Sequence, residues 1–184
     1  MVNWRSSHAQ AGPDLHPVIA HGSRGDDALH ARHDLSGNRV FALVPGLYGS
    51  RSVGWVRSRS ADPTVPADFQ PNYLADPTDL AAMVEALDAV QDLVATSAYA
   101  DLAEGPITPP TAMTSRQDRV RFVRENIGSF FHCAGTARIG TDEMAVVDPS
   151  LAVRGLQGLW VADASVMPVI PTANTQAPTV AIAE

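Results

Sequence analysis

Three polar residues in the last third of the chain have the types and surroundings that chemistry needs. His132 closes the apolar run "GSFFH" and precedes a Gly-Thr turn, where an imidazole titrating near neutral pH can take a proton from a substrate. Asn174 stands just before a final helical segment, where its amide can hydrogen-bond a substrate oxygen or simply cap the helix. Asp163, in "VADAS", follows a strand-like run and precedes a turn, so its carboxylate can close the turn through backbone N–H groups or reach a ligand hydroxyl. Taken singly, each has a structural reading at least as good as its chemical one: a partly buried histidine, a helix cap and a turn-closing aspartate.

Other chemistries are excluded or lack support. All 13 basic residues are arginine, which removes a P-loop lysine, a Schiff-base lysine and a Ser-Lys dyad together. The single cysteine, Cys133, has no partner for a disulfide or a thiolate metal site. On an extended strand it faces away from His132, so it is expected to be a small buried hydrophobe rather than a nucleophile. His30 and His33 have a spacing that can clamp a metal on a helix, but no neighbouring ligands complete a shell, so no metal site is expected and solvated histidines are.

A net charge of −7 opposes nucleic-acid binding, which needs a positive surface. No apolar run approaches the length of a membrane span, and "MVNWRSSHAQ" has no signal-peptide pattern, so neither a membrane partner nor export is expected and the cytoplasm is the expected location.

The elements that must position these residues follow from periodicity and turn chemistry. Residues 1–37, rich in His, Asp, Ser and Gly, are expected to be a loop-rich lead-in. Strand signals at 38–49 and 52–60, joined by "GLYGSR", suggest an antiparallel pair, with Val53, Trp55, Arg57 and Arg59 on one face. A loop with four prolines follows, Pro63, Pro66, Pro71 and Pro77. Asp76 as N-cap and Pro77 in the first turn then open a helix. Its stripe, Leu80, Met83, Val84, Leu87, Val90, Leu93 and Val94, is that of a core-facing helix.

Ser115 and Asp118 resemble a capping box opening a second helix through about Ile127. "GSFFHCAGT" suggests a short strand, "MAVVDPSLAVRGLQGLWVADAS" two more joined by turns at Asp148-Pro149 and Gly155–Gly158, and a helix runs from about Thr175. Strands and helices without strict alternation predict an α+β fold, an antiparallel sheet with helices packed on one face.

In order along the chain, His132-x-x-Gly-Thr-x-Arg-x-Gly, then "VVDPSLAVRGLQGLWVADASVMP", then "ANTQAPTVAIAE", resemble the C-terminal signature of the glucose-methanol-choline (GMC) oxidoreductases. "GWVRSRSADPTVPADFQPNYLADPTDL" resembles the segment leading into that family's substrate domain, so the resemblance covers roughly residues 38–184. It implies FAD as cofactor and a small-molecule alcohol as substrate, oxidised to an aldehyde or ketone by hydride transfer to flavin N5. The electron acceptor would be oxygen or another carrier. His132 would be the base, and Asn174 the second active-site residue on the same oxygen. Asp163 and Ala164 would lie against the cofactor, and Thr175 and Gln176 would start the helix facing the flavin pyrimidine.

The implied organisation is a substrate-binding domain at 38–140 and, at 141–184, the flavin-facing strand and helix of an incomplete FAD-binding domain. Cys133 replaces the proline usual after the family's histidine, and the glycine-rich turn that holds the dinucleotide's pyrophosphate does not occur in the chain. The chain is therefore expected to be the C-terminal part of a longer enzyme or a truncated product. The alternative is a non-catalytic remnant or interaction module that binds no FAD alone.

Overall fold

A computed structural model describes residues 3–21, 40–109 and 112–184. The His30–His33 pair and most of the second half of the N-terminal lead-in lie outside the described residues. The chain divides into two compact units, Met1–Leu47 with Leu80–Asn126, and Tyr48–Asp79 with Ile127–Glu184.

The first unit contains strands β1 (Leu15–His21) and β2 (Phe41–Leu47), paired antiparallel from Leu15 opposite Leu47 to His21 opposite Phe41. The lead-in therefore holds a strand where sequence suggested loop. Pro17 faces Pro45 in this pair. A two-stranded ribbon leaves one edge of each strand unpaired, so both prolines can be accommodated although neither has an N–H to donate.

Helix α1 (Pro77–Val94) begins as predicted: the Asp76 carboxylate accepts from Thr78 N at 2.7 Å. Met83, Val84, Leu87 and Val90 of the predicted stripe are buried, whereas Leu93 and Val94 are exposed near the helix end. A single turn, α2 (Ser97–Ala100), follows, and then α3 (Arg116–Asn126). The predicted capping box opens α3, with Asp118 N donating to Ser115 Oγ at 3.1 Å and Ser115 Oγ donating to the Asp118 carboxylate at 2.6 Å.

In the second unit, β3 (Trp55–Arg57) pairs antiparallel with β4 (Asp68–Gln70), a strand inside the proline-rich segment expected to be loop. Among the described residues, the expected pairing of 38–49 with 52–60 does not form. The stretch between them is held elsewhere: Arg51 N, Ser52 N and the Ser50 and Ser52 hydroxyls all donate to the Asp79 carboxylate. Those N–H groups cannot also close a hairpin ladder. The predicted face of β3 is present, with the Arg57 guanidinium 4.5 Å from the Trp55 ring centroid.

"GSFFHCAGT" is not a strand, because Phe131 (φ 62°) and Gly135 (φ 86°) turn the backbone left-handed and break the extended run. The two strands expected at 144–165 reduce to single bridges, Val147 with Val153 and Ala152 with Trp160. Their turns are where sequence put them. Asp148 Oδ1 accepts from Ser150 N and Ala152 N, and Gly155 and Gly158 take positive φ, 81° and 73°.

A 3₁₀ turn at Ala164–Val166 and helix α4 (Gln176–Ala183) complete this unit, whose core includes Tyr48, Ala145, Val147, Val166 and Met167. The fold is thus mixed helix and strand. Among the described residues its strands form two separate two-stranded antiparallel sheets rather than one. No helix among those residues is long and apolar enough to cross a membrane.

Candidate functional site

His132, Asn174, Asp163, Ala164, Thr175 and Gln176 all belong to the second unit, and the backbone explains why they converge. Residues 135–139 run beside the 3₁₀ turn as a short ladder: Gly135 N donates to Ala164 O at 3.3 Å, Ala137 N to Ser165 O at 2.9 Å and Ile139 N to Val166 O at 2.8 Å. Gly135 suits this place on two counts. Its positive φ favours glycine, and a Cβ there would stand 3.2 Å from Met167 O. The ladder fixes the segment that begins with His132 against the Asp163–Ala164 turn.

Asp163 caps that turn, its Oδ1 accepting from Ser165 N at 2.8 Å and Ser165 Oγ at 2.5 Å. The hydroxyl bond and then the N–H bond hold its pKa below the ordinary carboxylate value. The turn-closing role foreseen for it is realised, and the second oxygen of its exposed carboxylate has no hydrogen-bond partner among the described residues.

His132 is half-buried and hydrogen-bonded through Nδ1 to Thr175 Oγ1 at 3.1 Å, across 43 positions of sequence. The side chain beside Thr175, Asn174, accepts through Oδ1 from the Tyr48 hydroxyl at 2.5 Å, across 126 positions. Tyr48 joins the two: its ring lies 6.3 Å from the imidazole centroid, and Phe130 packs edge-on to Tyr48 at 6.3 Å and to His132 at 6.4 Å. Tyr48 is buried, and desolvation pushes its phenol pKa up, so it stays a hydroxyl donor at neutral pH.

Tyr48 is the residue that sequence reasoning missed. It lies in "GLYGS", a stretch read as a turn, and no local pattern points from there to a partner so far along the chain. Two further expectations change. Thr175 rather than Asn174 occupies the cap position of α4, and Cys133 is exposed rather than buried. Because the 130–135 segment is irregular, the alternation used to place Cys133 inside does not apply.

Helix α4 starts with unused donors. Thr175 makes no side-chain capping bond, Pro178 has no N–H, and the N–H groups of Gln176 and Ala177 have no acceptor among the described residues. Asn174, Gln176 and Ala177 also line an open groove with Val180, Ala181 and Glu184. A helix end in this condition favours a partly negative acceptor oxygen.

The family profile for GMC oxidoreductase matches residues 50–183, a span that includes His132, Asp163, Asn174 and Gln176. The chain belongs to the GMC oxidoreductase family. Among curated members, the alcohol dehydrogenase (acceptor) of Pseudomonas putida is 37% identical over 134 residues, covering 73% of this chain and 24% of that protein. The choline oxidase of Arthrobacter globiformis is 34% identical over 167 residues, covering 88% of this chain and 30% of that protein. Among solved structures, formate oxidase superposes with a TM-score of 0.71 at 34% identity, covering 77% of this chain and 25% of that one. The pyridoxine 4-oxidase from Mesorbium loti superposes with a TM-score of 0.79 over 95% of this GMC chain and 34% of that one; at 24% identity it speaks to the fold alone. The chain thus spans about a quarter to a third of the length of these relatives.

Proposed function

We propose that this chain supplies the catalytic-base portion of an FAD-dependent oxidoreductase that converts a small alcohol to an aldehyde or ketone. The observation that carries the reading is the cluster in the second unit: His132 and the Asn174–Thr175 pair, tied together by Tyr48 and by the His132–Thr175 bond. A CH–OH carbon releases hydride readily only as its hydroxyl loses a proton. A base within hydrogen-bond reach is worth roughly 10²–10⁴ in rate.

In this reading the His132 imidazole takes the hydroxyl proton. The Asn174 amide, with its oxygen held by Tyr48, presents its NH₂ group to the same substrate oxygen and stabilises the charge that develops there. FAD, when bound, supplies the hydride acceptor. The residues present fit its flavin end: the free N–H groups of Gln176 and Ala177 at the start of α4 would hold the pyrimidine carbonyl, and the Asp163–Ala164 turn would line the cofactor. The electron acceptor is oxygen or another carrier, and the relatives' names, a choline oxidase and an acceptor-dependent alcohol dehydrogenase, support a small-molecule alcohol as donor.

The test joins the chain to a family-type FAD domain and measures flavin reduction by primary alcohols. His132→Ala is expected to slow reduction by about 10²–10⁴-fold with the flavin still bound. Unchanged turnover in that variant would remove His132 as the base.

A further inference from the structure

We infer that Thr175 is a positioning residue that fixes the tautomer of His132: its Oγ1 accepts from Nδ1–H, leaving the lone pair on Nε2. Three observations converge on this. The 3.1 Å separation lies within the usual range for an N–H donor to oxygen, as a bond from Nδ1–H to Oγ1 requires.

Thr175 also occupies a cap position without capping. A threonine there ordinarily accepts from the second or third N–H of the helix, but the third position is Pro178, which has none, and the backbone of Thr175 is helical (φ −72°, ψ −15°) rather than extended. The hydroxyl is therefore left for His132. Finally, the position is held firmly. Thr175 is 9% exposed, and its carbonyl accepts from both Thr179 N at 2.9 Å and Thr179 Oγ1 at 2.7 Å.

The consequence rests on the reading of His132 as a base. An imidazole can take a proton only through the nitrogen that lacks one, and which nitrogen that is follows from the bond the other makes. A hydroxyl acceptor sets the tautomer and ring orientation without placing a second charge beside the ring, as a carboxylate would. The Tyr48 and Phe130 rings, which pack against the imidazole and against each other, oppose its rotation away from Thr175.

The experiment needs no flavin. The full chain is prepared with ¹⁵N-labelled histidine, the His132 signals are identified by their loss in His132→Gln, and long-range ¹H–¹⁵N correlations are recorded above the histidine titration range. Wild type is expected to show mainly Nδ1–H. Thr175→Val is expected to shift the tautomer ratio roughly five- to tenfold toward Nε2–H, the change that one net hydrogen bond supports, and Thr175→Ser to restore it. A wild-type spectrum dominated by Nε2–H, or a Thr175→Val ratio equal to wild type, overturns the inference. If Thr175→Val does not fold, the wild-type and Thr175→Ser spectra decide alone. Loss of the base reading is a separate outcome, seen as unchanged flavin reduction in His132→Ala whatever the tautomer.

Discussion

Asp79 is the residue whose removal has the most calculable consequence. It is 4% exposed, and its carboxylate receives four hydrogen bonds from one short stretch: Arg51 N at 3.0 Å on Oδ1, then Ser52 N at 2.8 Å, Ser50 Oγ at 2.6 Å and Ser52 Oγ at 2.5 Å on Oδ2. Burial pushes its pKa up, but the bonds from Arg51, Ser50 and Ser52 outweigh burial and hold it below the usual aspartate value. The serine hydroxyls can turn to other acceptors, whereas the two backbone N–H groups cannot. At roughly 1–3 kcal/mol for each donor stranded, Asp79→Ala should cost about 3 kcal/mol at neutral pH.

Asp79→Asn should cost less but not nothing, about 1–2 kcal/mol. Its NH₂ must face either Arg51 N or the Ser52 donors, so no orientation satisfies both. The sign of the pH dependence follows from the lowered pKa. The ionised carboxylate contributes its stability above the unfolded aspartate pKa near 4, and that contribution is lost as pH falls through the lower folded value.

Urea unfolding followed by tryptophan fluorescence, repeated from neutral pH down to about pH 3, measures this directly. The gap between wild type and Asp79→Asn should be largest at neutral pH and narrow in acid. A gap that is constant across that range, or Asp79→Ala as stable as wild type, would refute the account of Asp79 as the anchor of residues 50–52.

Two further outcomes are expected. In Gly54→Ala the new Cβ would meet Gln70 O at 2.1 Å and Pro71 O at 2.7 Å, both backbone atoms, so the β3–β4 pair must separate; a loss of about 3 kcal/mol or more in urea unfolding is expected, and unchanged stability would contradict it. Cys133 is exposed, so one thiol per native chain should react with a disulfide reagent as completely as in denaturant; reaction only after unfolding would contradict its exposure.

The helices were legible in the sequence because their signals are local. Asp76 before Pro77, the Ser115–Asp118 box and the buried part of the α1 stripe are each read within a few residues, and each appears in the structure. The strands were less legible, for two physical reasons. Pairing is non-local, and the turn that suggested a hairpin after Leu47 is taken by Asp79, whose carboxylate competes for the same backbone donors. The His-, Asp-, Ser- and Gly-rich composition that suggested loop at 15–21 and the prolines flanking 68–70 proved compatible with two-stranded ribbons, where each strand has a free edge.

The site divides in the same way. His132, Asp163 and Asn174 are singled out through their order along the chain and not through any property of one of them. Tyr48 has no such order to reveal it, and the profile match begins two residues after it. Yet Tyr48 ties two of those segments together, because it is in contact with both the His132 ring and the Asn174 amide. A base and a hydrogen-bond donor can act on one oxygen only if something holds them in register. In the proposed function that work would fall to two hydroxyls, the Tyr48 phenol on Asn174 and the Thr175 side chain on His132. Sequence order identifies the groups that would do the chemistry, and packing identifies the groups that would aim them.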